Sequence, residues 1–144
     1  MRKWIFIISI IIAGQLHCFA KTTDIYLTKE IVFTWDNEKY QIIENENFDN
    51  IKRNIVKYQP IIISNISNIE EIDVQVCGSE SVKITSGIMA FLLLEKLKNI
   101  PWYKVFNMQF DTFILPCRIP SGLLEYISKN PNEVTRKLNA YYEE

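Results

Sequence analysis

The sequence predicts a mainly α domain, small and stapled by one disulfide, with a β-hairpin near its N-terminus. Three observations carry this expectation: apolar residues recur at helical spacing in several segments from Phe48 onward, two cysteines remain once an export signal is set aside, and Ile31, Phe33 and Trp35 alternate as in a strand. With 144 residues, 48% hydrophobic and 23% charged, the chain has the profile of one globular domain rather than a disordered or repeat protein.

The first twenty residues read as an address. Arg2 and Lys3 precede an apolar run from Trp4 to Ala13, broken only by Ser9, and Cys18-Phe19-Ala20 supplies a small-x-small cleavage site. The sequence thus divides into a signal peptide over 1–20 and a mature domain over 21–144, beginning at Lys21, with a periplasmic or secreted destination. The apolar run is too short for a membrane span. A lipid anchor at Cys18 is disfavoured because Gln15 and His17 occupy the places where a lipobox has an aliphatic and a small residue. Cleavage leaves fourteen basic and seventeen acidic residues, a charge of -3, and two cysteines, Cys77 and Cys117. An oxidising compartment and a count of two predict that they pair.

From Ile25 to Ile43 the alternation, the turn residues Asp36-Asn37-Glu38-Lys39, and then Tyr40 and Ile42 read as a hairpin; a helix entered through Thr22-Thr23-Asp24 is the alternative. Phe48, Ile51, Ile55 and Tyr58 then predict an amphipathic helix that ends at Pro60, with a second, short helix over Pro60–Asn68. That isoleucine-rich stretch suits a strand equally well. Glu70 to Thr85 reads as extended chain or a small hairpin around Cys77.

Ile88 to Leu97 is apolar on all sides over its first seven residues and predicts a buried helix, capped by Ser86 and closed by Asn99 and Pro101. Trp102, Phe106, Phe110 and Phe113 lie at helical steps and predict an aromatic stripe, read as core, with a ligand groove as the alternative. Pro120-Ser121-Gly122 introduces a helix on Leu123, Leu124 and Ile127. Asn130-Pro131-Asn132-Glu133 then reads as an N-cap, a first-turn proline and a capping-box glutamate for a last helix on Val134, Leu138 and Tyr141. These paired helices invite a DNA-binding reading, but their balanced charges predict no nucleic-acid contact.

The mature domain has no histidine, which excludes Ser-His-Asp and Cys-His nucleophiles, and two cysteines forty residues apart cannot assemble the usual zinc sets. No Ser-x-x-Lys, phosphate-cradling glycine loop or calcium loop is present, so no cofactor or metal is expected. What remains is carboxylate chemistry, for which Glu95 and Asp111 are the best candidates because apolar neighbours surround each. Ordinary surface and cap roles are their alternative.

The functional expectation is therefore an exported, non-catalytic module that binds another protein, such as an inhibitor or immunity protein against a secreted hydrolase. Trp35, Tyr103, Tyr141 and Tyr142 are the candidate contact residues, because interface hot spots are enriched in Trp and Tyr; ordinary packing is the alternative for each. A small carboxylate-dependent hydrolase and a carrier of an apolar ligand are the other readings.

Overall fold

A sheet comes first in chain order. Strands β1 (Thr22–Tyr26), β2 (Val32–Asp36) and β3 (Gln41–Ile42) form an antiparallel sheet in the order β1-β2-β3, with Thr23 opposite Trp35 and Ile25 opposite Phe33. The structure, a computed structural model, describes residues 20–80, 82–110 and 117–143. The expected signal segment through residue 19, including Cys18, and the positions of Asp111 and Phe113 lie outside the described residues.

The alternation places Ile25, Ile31, Phe33, Trp35 and Ile42 in the core and leaves Thr34 on the other face, where its hydroxyl donates to the Asp24 carboxylate at 2.7 Å. Asp36 closes the β2–β3 turn by accepting the N–H groups of Glu38 and Lys39, both at 2.9 Å. These two bonds, led by that from Lys39, hold its carboxyl below the ordinary range. The expected hairpin is thus the β2–β3 half of a larger sheet. The helical alternative fails because Thr22 to Tyr26 pairs with β2, and the Thr28 hydroxyl bridges the tight return by accepting the N–H groups of Glu30 and Ile31.

Six helices follow among the described residues: α1 (Glu46–Arg53), α2 (Ile55–Asn65), α3 (Ser86–Lys98), α4 (Trp102–Phe106), α5 (Ser121–Lys129) and α6 (Pro131–Glu143). The domain is therefore mixed and helix-rich rather than purely helical. Asn45 caps α1 by accepting the Phe48 N–H. The break between the first two helices falls at Asn54, not at Pro60. Asn54 turns its side chain back to the Asn50 carbonyl, ending α1, and its own carbonyl starts α2 by accepting from Lys57 and Tyr58. Pro60 stays inside α2 because it lies on the solvent face with Val56, the residue whose carbonyl loses a donor. The isoleucine run is helical, with Ile62, Ile63 and Ile66 in the core.

As the sequence predicts, α3 is a buried helix, covered from Ser86 to Leu94, and it packs against α2 and α5. Its cap is Thr85, one residue before Ser86; the Thr85 hydroxyl accepts the Ile88 N–H. Asn99, in the left-handed region at φ 51°, ends the helix. The aromatic helix is shorter than its spacing predicts, because Asn107 turns left-handed at φ 52° and leaves Phe110 beyond α4. Phe106 nevertheless packs against Phe91, Phe110 and Tyr126.

Asn130 does not cap α6 with its side chain as expected: its amide donates back to the Tyr126 carbonyl, while Glu133 is engaged by Lys137 at 2.9 Å. Between α2 and α3 the chain makes a loop clasped at its base, where Ile72 donates to the Ile84 carbonyl and Ser86 to that of Glu70. That loop carries Cys77, whose Sγ stands at disulfide distance from Cys117, with the Cα atoms 5.3 Å apart.

Candidate functional site

Two surface features meet at the C-terminal end of α3. The first is a cavity of about 260 Å³. The β2–β3 hairpin supplies Trp35, Tyr40, Gln41 and Ile42, and the loop adds Val76 and Cys77. From α3 come Leu92, Glu95 and Lys96, and the segment after the second cysteine contributes Arg118 and Ile119.

Side chains fasten this cavity together from segments distant in sequence. The Trp35 indole N–H donates to the Gln75 carbonyl at 2.8 Å, and Asn37 Oδ1 accepts the Gln75 N–H at 3.0 Å. Both backbone polar groups of Gln75 are thus held by the β2 side, which sets Val76 and Cys77 beside Trp35. The Cys77–Cys117 pair in turn places Arg118 and Ile119 against the opposite wall.

Glu95 is half-buried and faces two donors: its Oε2 accepts the Ile100 N–H at 2.7 Å and the Trp102 indole N–H at 3.2 Å. Burial pushes its carboxyl above the ordinary value, and the two hydrogen bonds oppose that rise. This carboxylate therefore braces the turn from α3 into α4. Lys96 pairs with Glu44 at 2.5 Å, an ion pair that holds the Glu44 carboxyl below its ordinary value.

The second feature is the tyrosines carried by two helices, α4 and α6. Tyr103 on α4 is 64% exposed and Tyr141 on α6 is 37% exposed, and the two helices pack against each other. Tyr142 is half-buried, with its ring edge-on to Tyr141 at 5.1 Å and the Lys98 ammonium 5.4 Å from its ring centre. Burial, reinforced by Tyr141 and Glu95, pushes the Tyr142 hydroxyl up to about 12.

Of the residues singled out from sequence, Tyr103, Tyr141 and Tyr142 thus belong to adjacent helices. Trp35, by contrast, is 3% exposed and sits in the core with its edge on the cavity. Glu95 lines the cavity. Of the aromatic stripe, Phe106 is buried, Trp102 and Phe110 are half-buried, and the position of Phe113 lies outside the described residues. Among the described residues no group of His, Cys, Asp and Glu could hold a metal ion, and no helix is long and apolar enough to cross a membrane.

Sequence reasoning passed over Arg118 and Tyr40 as cavity residues. Neither carries a local signal, because the cavity is assembled from four separated segments.

Fold and site together define a small, helix-rich domain with an N-terminal antiparallel sheet, a cysteine pair beside its cavity and exposed tyrosines on α4 and α6. No protein-family model matches the chain, and it matches no curated protein and no solved structure.

Proposed function

We propose that the mature domain is an exported, non-catalytic module that binds another protein, in the manner of an inhibitor or immunity protein acting on a secreted hydrolase. The observation that carries this reading is the exposure of Tyr103 and Tyr141 on two helices packed against each other, with Tyr142 beside them. Rigid aromatic side chains presented from fixed helices lose little entropy on binding and contribute large contact areas. A cysteine pair at disulfide distance is compatible with the oxidising compartment that the leader predicts.

The carboxylate-hydrolase reading has one supporting observation, a half-buried Glu95 on a cavity. Against it, Oε2 is already occupied by two N–H donors. Affinity capture from the exported fraction, followed by reconstitution with the purified partner, separates the two readings. The binder reading requires a stoichiometric complex that Tyr103→Ala and Tyr141→Ala weaken. Turnover of glycan or peptide substrates that vanishes in Glu95→Gln would replace it with the enzyme.

A further inference from the structure

The cavity beside the cysteine pair presents an unusual charge balance. Its apolar lining comes from Trp35, Ile42, Leu92 and Ile119. Two opposite charges, Arg118 and Glu95, also line it and do not pair with each other. Arg118 makes no ion pair among the described residues, and Glu95 is likewise engaged by N–H donors rather than by a cation. The third charge on the cavity, Lys96, is answered by Glu44.

From this arrangement we infer that the cavity is a binding site for a small zwitterion with an apolar body, an α-amino acid with an aliphatic or aromatic side chain. The ligand's ammonium group is received by Glu95 Oε1, the oxygen that the Ile100 and Trp102 donors leave open, its carboxylate by Arg118, and its side chain by the apolar lining. A purely cationic ligand would meet Arg118 and a purely anionic one Glu95, so either leaves an unfavourable charge at the site, whereas a zwitterion answers both. Size agrees. At about 260 Å³ the cavity falls below the roughly 300–1,000 Å³ of sites for drug-sized ligands, which leaves room for a single amino acid. Because Cys77 is part of the wall and Cys117 precedes Arg118, the oxidised pair holds the two sides of the site in place. This site adjoins the tyrosine-bearing helices through Glu95, whose charge acts on Tyr142, but its ligand is a small molecule and its test needs no protein partner.

The test is titration of the oxidised mature chain with leucine and phenylalanine, followed by calorimetry and by Trp35 indole N–H chemical shifts. N-acetyl-leucine and leucinamide, which lack the ammonium and the carboxylate respectively, serve as the comparison ligands. Saturable binding of the free amino acids is expected, weakened about tenfold or more in each capped form. Glu95→Gln should abolish the preference for leucine over N-acetyl-leucine, and Arg118→Gln the preference for leucine over leucinamide. Glutamine at 95 keeps an acceptor for Ile100 and Trp102, and Arg118 is exposed, so both variants are expected to fold; their circular dichroism checks this. The inference is overturned if the amino acids produce no saturable shift at millimolar concentration, or if the capped ligands bind as well as the zwitterions.

Discussion

Trp35 and Gln75, forty residues apart in the chain, are joined by the indole N–H, which donates to the Gln75 carbonyl at 2.8 Å. Asn37, on the same side of the sheet, completes the attachment. It is 3% exposed, accepts the Gln75 N–H, and donates its amide to the Ala20 carbonyl at 2.8 Å and to the Thr23 hydroxyl at 2.9 Å. One buried amide therefore ties the start of β1, the hairpin turn and the cysteine-bearing loop together.

Removing that amide should leave the partly buried backbone groups of Gln75 and Ala20 without their partner. Asn37→Ala is expected to cost about 2–3 kcal/mol, and Trp35→Phe, which removes the indole N–H, about 1–2 kcal/mol. Urea unfolding of both variants and their double mutant checks this. Because the two side chains hold the same residue, Gln75, the double mutant should lose less than the sum of the single losses.

The cysteine pair closes a loop of 40 residues. Replacing both Cys77 and Cys117 with serine should lower stability by about 4 kcal/mol in the chain-entropy view. For a domain of this size that corresponds to a fall in Tm of roughly 10–20 °C. Calorimetry of the oxidised protein and the double variant measures it.

Gly87 is the tightest glycine in the described chain. A Cβ there would stand 2.2 Å from the Ile66 carbonyl oxygen and 2.7 Å from that of Asn68, where α3 begins against the end of α2. Both obstacles are backbone, and the Gly87 N–H itself donates to Asn68. Gly87→Ala should therefore cost about 3 kcal/mol despite alanine's better helix propensity. Thermal unfolding shows it.

Those contacts also mark how far the sequence could be read. Local signals were sufficient for β2, for the buried helix on Ile88 to Leu94, and for its end at Asn99, because each depends on neighbours within a turn or two. Pro60 misled because a proline is tolerated where its partner carbonyl faces solvent, and exposure at Val56 is a tertiary property. Asn107 stopped the aromatic helix early by a left-handed turn that spacing alone does not encode. Cys77 and Glu95 could be chosen from sequence, but their convergence with Arg118 and Tyr40 on one cavity arises from the attachment of Gln75 to the sheet.

Glu95 supplies a pH signature. Its folded carboxyl lies above its ordinary value of 4.5 through burial, so the folded chain holds the proton more tightly than the unfolded chain. Its stabilising contribution is complete below about pH 4.5 and is lost as pH rises through the raised value. Glu95→Gln removes the titration. The stability difference between variant and parent should therefore move in favour of the variant as pH rises across the carboxylate range, and stay level below it. A difference moving in favour of the parent would mean that the Ile100 and Trp102 hydrogen bonds to the charged form outweigh its burial.

The most direct test of the account is the affinity of the mature chain for a partner captured from the exported fraction, measured with the purified pair by calorimetry for the parent, Tyr103→Ala, Tyr141→Ala and the exposed control Val56→Ala. The binding reading predicts a saturable complex weakened about thirtyfold by at least one of the two tyrosine variants, and unchanged by the control. Equal affinity in all four proteins, or failure of any purified candidate to form a saturable complex, would contradict it.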